Sequence, residues 1–511
     1  MAAEKKSLDG ADSIVDVVHS DEENAHDPAT VYQSWDRAYR DDLERKLVRK
    51  IDKHIMPVLV LMYIMNYMDR TSVTQARLYG IQEELGITGP LWQLGISILS
   101  VPYILSQIPG PMLIARIRPS ILLPTVMTLW AITSACTGAT QNVGSFMAVR
   151  IFLGATEGPF FPAAIFFLSC WYRKGEIGVR IALLMSGLVT SQAFAGLISA
   201  GILQGMDGVT SISSWRWLFI LEGAATVVIA FVAFFVLPDY PHSTKWLSEE
   251  ERICAVYRLA ADVGRTERVD SESVSVWHGL GLAAKDYRVW CFATMQMANT
   301  ACISFSYFFP TLIKELGFTS NTMVLLISAA PYVLAFFSII GMSYYTDRVQ
   351  VRSTTGIGSM AVAAVAIATI IGLQTSSQWG RFAMLFPVVC GIYTTYCITY
   401  SWLSSTIVRP LEKRAAAIGI TNTCSNCAVV FGTFFWMDQY SPTYSVSWGC
   451  ILAFACLSMG ASVTLRFSLQ RENKHFDKLA AEVSQDPSLM ELRTMTETEK
   501  DAVMDNFRYV I

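Results

Sequence analysis

Apolar residues in this chain gather into windows of about 20, the length at which an α-helix rising 1.5 Å per residue crosses a hydrocarbon layer of about 30 Å. Twelve such windows are read: near 55–76, 91–115, 120–140, 146–170, 179–203 and 216–237, then near 289–312, 321–345, 355–374, 381–407, 414–436 and 443–466. Only 16 % of the 511 residues are charged while 52 % are hydrophobic, too few charges for a soluble fold of this length to cover itself. The expected architecture is an all-α polytopic membrane protein, with twelve transmembrane helices in two six-helix halves. The expected division is a disordered cytosolic tail over 1–50, a first half over 51–237, a cytosolic linker with an amphipathic helix over 238–288, a second half over 289–467 and a cytosolic tail over 468–511.

The short connections set the orientation. Arg116 and Arg118, Arg173, Lys174 and Arg180, Arg348 and Arg352, and Arg409, Lys413 and Arg414 follow even-numbered spans, whereas odd-numbered spans are followed by isolated residues such as Arg77 or Arg381. The positive-inside bias then puts both termini in the cytosol, with the plasma membrane as the expected location. In the linker, Ser248 and Glu251 have capping-box spacing ahead of Ile253, Val256, Tyr257 and Leu259, an amphipathic pattern. That helix could lie on the membrane, bridge the halves or solvate a linker. The net charge of −3, with cations between spans and in the tails, excludes a nucleic-acid partner. The pair Cys424 and Cys427 sits in an apolar helix and reads as packing, and no metal or cofactor site is expected.

Charges inside spans carry the functional reading, because each costs about 2.5 to 3.5 kcal/mol at the centre of a spanning helix. Asp69 and Arg70 lie within the first window, Arg150 and Glu157 within the fourth. Seven residues make just under two turns, so Arg150 and Glu157 share a face with about 10 Å between their α-carbons. Gly154 and Gly158 flank Glu157, and Pro159 and Pro162 follow, which suits close helix approach and a local break. The bland alternative is two structural ion pairs, Asp69 with Arg70 and Arg150 with Glu157. Arg216 and Glu222 on the sixth window read as structure, Arg216 as an interfacial anchor beside Trp215 and Trp217. In the second half Gln296, Asn299, Tyr332, Tyr393, Tyr396, Tyr400, Asn422 and Asn426 are polar residues that either line a cavity or pack between helices. All six histidines fall in tails, loops or a span end, so histidine is not expected to relay protons within the membrane.

The motifs narrow the fold. RIFLGATEG from Arg150, WYRKGEIGVR from Trp171, WRWLFILEG from Trp215, LPDYP from Leu237 and WLSEEER from Trp246 mark the first half and linker. KDYRVW from Lys285, YFFPTLIKELGF from Tyr307 and EKRAAAIGITNTCSN from Glu412 mark the second. With two sets of six spans, these resemble the major facilitator superfamily, and within it the anion:cation symporter branch and the fungal allantoate, nicotinate and pantothenate permeases. The resemblance implies a secondary active transporter, not an enzyme, that moves a small organic anion with protons by alternating access, as a monomer in the lipid bilayer. It implies that Arg70 and Arg150 attract the substrate carboxylate and that Asp69 and Glu157 are candidates for the protonation coupled to transport. Asn299, Tyr332, Tyr393, Tyr396 and Asn422 are the further substrate-site candidates. In the gating loop after the second span Arg116 is kept but Ala115 stands where an acidic residue is usual, while Asp347 and Arg348 are kept in the matching loop of the second half. A proton-exchanging exporter of an acidic metabolite and a non-transporting nutrient sensor are the rival readings.

Overall fold

In lipid a backbone amide must find its partner inside the chain, so windows this apolar can only be helical unless they close a barrel. The computed structural model describes residues 31–32, 35–107, 117–206, 209, 212–267, 276–318, 320–349, 351–373, 377–407, 411–441, 443–485 and 509, and helix is the only regular secondary structure among them. The first half comprises α1 (Arg37–Ala76), α2 (Gly89–Ser97), α3 (Ser100–Ser106), α4 (Pro119–Cys136), α5 (Val143–Glu157), α6 (Phe160–Ser169), α7 (Lys174–Gly205) and α8 (Ser214–Val236). The linker holds α9 (Glu249–Glu267) and α10 (Val276–Lys285). The second half comprises α11 (Tyr287–Ile303), α12 (Phe309–Glu315), α13 (Asn321–Val349), α14 (Arg352–Leu373), α15 (Gln378–Thr406), α16 (Leu411–Gly432) and α17 (Ser445–Gln485).

Among the described residues nine helical segments are long and apolar enough to cross a membrane. The other three expected spans are, where described, polar or interrupted. The first carries Asn66, Asp69 and Arg70 within α1, the second is broken between α2 and α3, and the seventh passes from α11 through a 3-10 stretch at Ser304–Phe308 into α12. Helix interruptions of this kind are tolerated at membrane depth where the freed backbone faces a cavity or another helix.

Helix pairing repeats between the halves. α4 packs on α8 as α14 packs on α17, α1 on α7 as α11 on α16, α3 on α5 as α13 on α15, and α1 on α8 as α11 on α17. The halves meet along α7 with α13 and α3 with α16. Close approach at the first seam depends on Gly196, where an added Cβ would stand 2.8 Å from the carbonyl oxygen of Leu325.

Two expectations about the polar segments need correction. Arg37 to Lys50, expected in a disordered tail, forms the first turns of α1, because Leu47, Ile51 and Ile55 make a buried seam at helical spacing. Likewise α17 runs on to Gln485, so the tail expected from 468 begins as helix. The amphipathic linker helix α9 forms with its capping box closed both ways, the Ser248 N–H donating to Glu251 at 2.9 Å and the Glu251 N–H to Ser248 Oγ at 3.2 Å. Among the described residues its hydrogen bonds run to the first half. Lys50 donates to Glu251 at 2.6 Å, Tyr39 to Glu250 at 3.0 Å, and Arg258 to the Trp171 carbonyl at 2.7 Å, so α9 is fastened to the first half, while α10 lies against α16 of the second. Burial pushes the Glu251 carboxyl up, and the Lys50 and Ser248 hydrogen bonds outweigh it, leaving it below the usual range.

Candidate functional site: a cationic cavity between the halves

Tyr63, Tyr67 and Arg70 recur at three- and four-residue spacing on α1, so they share one face of that helix. That face turns to a cavity of about 70 Å³, measured as the space open to the centre of a water molecule, between the two halves. α3 adds Tyr103, α5 adds Arg150, and α7 adds Gln192; from the second half come Thr300 and Tyr307, Tyr393 and Tyr396, and Asn422 and Asn426.

Arg70 is 7 % exposed and donates from Nε to Glu157 Oε2, and its guanidinium carbon lies 4.0 Å from the Tyr103 ring centre and 5.3 Å from that of Tyr67. A guanidinium on two ring faces keeps its orientation through cation–π attraction without adding another anion. Its Nη2 has no hydrogen-bond partner among the described residues, nor has Glu157 Oε1. Arg150 is 2 % exposed and lies 5.3 Å from the Phe146 ring centre, with Nε and Nη2 both unpartnered among the described residues. Two guanidiniums on the wall and one carboxylate, bonded to Arg70, leave a surplus of one positive charge. A buried, unpaired cation is expensive, and the wall is therefore ready for an anion.

Five of the seven substrate-site candidates, Arg70, Arg150, Tyr393, Tyr396 and Asn422, line this cavity. Two do not. Asn299 donates to Thr399 at 3.3 Å and accepts from Ser458 at 2.7 Å, tying α11 to α15 and α17; its neighbour Thr300, about 100° round the helix, takes the cavity face. Tyr332 sits behind Tyr393, ring centres 5.9 Å apart, and against Phe309 at 5.1 Å. The proton-coupling candidates also separate. Glu157 meets Arg70 rather than Arg150, and Asp69 does not pair with Arg70 but accepts from Trp130 at 3.1 Å and Ser134 at 3.2 Å on α4. Of the gating candidates, Arg116 lies outside the described residues, as does the side chain of Asp347; Arg348 is exposed with its guanidinium 5.3 Å from the Tyr344 ring centre.

Sequence reasoning missed Tyr63, Tyr67, Tyr103, Gln192 and Tyr307. For Tyr63 and Tyr67 the signal existed, since they stand seven and three residues before Arg70 on one helix. Tyr103, Gln192 and Tyr307 carried none, because only the packing of other helices turns them inward.

One end of the cavity is closed by bonds between the halves. Arg77 donates to Asp438 at 2.6 Å, Gln93 to the Trp436 carbonyl at 3.0 Å and Asn321 to the Leu78 carbonyl at 2.9 Å, and the Ser97 and Thr433 hydroxyls are hydrogen-bonded to each other. Toward the other end, Asn422 donates to Gln107 at 3.3 Å. If the Arg77 end must part during turnover, a cysteine pair at Ser97 and Thr433 will cross-link on oxidation and arrest flux, and reductant will restore it. Flux measured in vesicles before and after each treatment checks this, and full activity of the cross-linked form would show that the seam never opens.

Three of the motifs behind the family resemblance, those at Trp171, Leu237 and Trp246, also converge, at the opposite end of the first half. Trp171 Nε1 donates to the Asp239 carbonyl at 3.1 Å and stacks on Trp246 at 5.9 Å, Tyr172 and Arg180 both reach Asp52 at 2.7 Å, and Arg173 holds Glu44 through two bonds at 2.6 and 2.7 Å.

Residues 59–433 match the family described as the Major Facilitator Superfamily. The chain is 29 % identical over 466 residues to the MFS-type transporter cnsO of Penicillium expansum, covering 89 % of each chain. It is 29 % identical over 451 residues to the major facilitator-type transporter hxnP of Emericella nidulans, covering 86 % of this chain and 88 % of the other. Among solved structures, the proton:xylose symporter XylE bound to 6-bromo-6-deoxy-D-glucose superposes with a TM-score of 0.64 at 15 % identity, over 81 % of this chain and 95 % of that one. A bacterial homologue of the lysosomal transporter Spinster, inward-facing and unoccupied, gives 0.60 at 14 % identity, over 84 % of this chain and 97 % of that one. At such identity the structural likeness bears on the fold.

Proposed function

The chain belongs to the major facilitator superfamily and is a multi-pass membrane transporter, and from that premise we propose that it carries a small organic anion together with protons, by alternating access. The observation that carries the reading is Arg150, a buried guanidinium on the cavity wall with two nitrogens unpartnered among the described residues, beside an Arg70 whose countercharge is an acid able to take up a proton.

The chemistry follows from that pairing. With Glu157 ionised, Arg70 is internally neutralised and Arg150 alone is left uncompensated on the cavity wall. Protonating Glu157 removes the countercharge and frees Arg70 to join Arg150 on an incoming carboxylate, a bidentate geometry to which guanidinium groups are suited. Deprotonation restores the internal pair and expels the anion. Tyr393, Tyr396 and Asn422 offer ring faces, hydroxyls and an amide to the rest of the molecule. A coupling ion is needed, because an anion entering a negative cytosol climbs about 2.3 kcal/mol per charge per 100 mV. If the charge bias places the Arg77 end outside, the bonds between the halves seal the outer mouth, and rocking of the halves about α7–α13 and α3–α16 would open it. The motif cluster at Trp171, Asp239 and Trp246 supports placing the chain in the anion:cation symporter branch.

The test is uptake of a panel of labelled carboxylates, including nicotinate, pantothenate and allantoate, into vesicles holding the purified protein under an imposed pH gradient. An acid exterior should drive accumulation of at least one, and Glu157→Gln, which mimics the protonated acid permanently, should abolish that acceleration. Undiminished acid-stimulated accumulation in Glu157→Gln would sink the coupling scheme.

A further inference from the structure

Among the described residues three carboxylates, Asp69, Glu157 and Glu222, lie in the interior of the first half, and the transport scheme uses one of them. Glu157 has Arg70; Asp69 and Glu222, 0 % and 2 % exposed, have no ion pair among the described residues and do not line the cavity. The groups around them are neutral or acidic. Asp69 of α1 accepts from Trp130 and Ser134 of α4 and meets Thr226 of α8 at 3.4 Å, and the charge of Glu157 on α5 acts on it. Glu222 of α8 meets Ser72 of α1 and feels the charge of Asp69. The adjacent cation, Arg70, faces the cavity and Glu157.

Two buried carboxylates without a cation do not both stay ionised, since desolvation and mutual repulsion act together. Counting hydrogens says where a proton sits. Ser72 Oγ lies 2.8 Å from the Met68 carbonyl oxygen and is also hydrogen-bonded to Glu222 Oε2. A hydroxyl owns one hydrogen and a carbonyl can only accept. Ser72 can give that hydrogen to only one of the two acceptors, so both contacts are hydrogen-bonded only if Glu222 carries a proton of its own. Thr226 repeats the pattern, its Oγ1 standing 2.9 Å from the Glu222 carbonyl and 3.4 Å from Asp69 Oδ2. Among the described residues Glu222 Oε1 is buried with no partner and, unlike Glu157, Glu222 has no cation to offset a negative charge.

We propose that Glu222 is a proton-binding residue of the transport cycle, forming with Asp69 a second proton site outside the substrate path. This rests on the proton-coupled reading above. The pair holds a proton while Glu157 is ionised, because the Glu157 charge opposes a further negative charge on Asp69. When Glu157 is neutralised that opposition ends and the pair can release its proton. Each event moves one hydrogen ion on or off one carboxyl oxygen, with no other bond made or broken. The two sites titrate as a coupled set.

Infrared difference spectra between mildly acidic and mildly alkaline pH, recorded on the full-length protein in lipid nanodiscs, read protonated carboxyl groups directly and need no substrate. Wild type should show a carboxylic-acid band lost as pH rises, Glu222→Gln should remove part of it, and Glu157→Gln should shift the remainder to lower pH by about one unit. A spectrum unchanged by Glu222→Gln, or a Glu222 band that persists at every pH, overturns the proposal. Should Glu222→Gln fail to fold, Asp69→Asn tests the same pair, and it too must remove part of the titrating band. Failure of acid-driven uptake with this spectral behaviour intact would instead count against the transport scheme alone.

Discussion

Arg150→Ala should lower carboxylate uptake by more than a hundredfold while leaving the protein at least as heat-stable as wild type. A charge-assisted bond from a desolvated guanidinium to a carboxylate costs about 2 to 5 kcal/mol when one partner is truncated, and about 2.7 kcal/mol already corresponds to a hundredfold. Most interior truncations lose stability, but here the lost group is a cation whose Nε and Nη2 have no partner among the described residues. Removing a buried charge that nothing neutralises relieves a cost, and opposite movement of stability and activity is the mark of a site kept strained for its ligand. Arg150→Lys separates charge from shape: an ammonium keeps the attraction and loses the planar fork, so uptake should fall between the two. Initial rates in vesicles, with thermal unfolding of the same preparations, check both. Wild-type uptake by Arg150→Ala, or its collapse on purification, would make Arg150 a packing residue.

How legible this site was in the sequence differs from residue to residue. Arg70, Arg150 and Glu157 announce themselves because ionised groups in apolar windows are rare and costly. The partnership among them did not. Asp69 and Arg70 are neighbours in sequence, but successive residues on a helix point about 100° apart, so one enters the cavity and the other turns to Trp130 and Ser134. Asn299 and Thr300 part in the same way. Which of two adjacent residues faces inward depends on the rotation of the helix, and in a membrane periodicity says little about rotation because the lipid side is as apolar as the core. Glu222 was read as structure together with Arg216; its meaning came from finding Ser72 bonded to it and Thr226 shared between its carbonyl and Asp69. The fold was more open to reading, since window length and the break at Gly158 and Pro159 are local properties, and α5 does end at Glu157 with α6 beginning at Phe160.

That break also locates the substitution expected to do most damage to the fold. A Cβ on Gly154 would stand 2.1 Å from the Leu99 carbonyl oxygen and 3.0 Å from Pro102 Cγ, and one on Gly158 would stand 2.0 Å from Ser106 Oγ and 2.4 Å from the Tyr103 carbonyl oxygen. Three of these four obstacles are backbone or ring atoms that cannot swing aside, so α5 would have to leave α3. Overpacking a tight contact costs about 1 to 3 kcal/mol, and Gly154→Val should lie at or beyond the upper end because both γ-methyl groups add to the clash. The separation would act on function as well, since α3 carries Tyr103 against Arg70 and α5 carries Glu157 bonded to the same guanidinium. Gly154→Val is therefore expected to lose most folded protein, and Gly154→Ala to fold with lower thermal stability and impaired acid-driven uptake. Gly201→Ala and Gly460→Ala, where an added Cβ meets nothing within 4 Å, are the matched controls and should lose neither. Size-exclusion yield and melting temperature of the four variants decide the matter. A Gly154→Val protein as abundant and as stable as the Gly460→Ala control would mean that the two helices are not in backbone contact at this point.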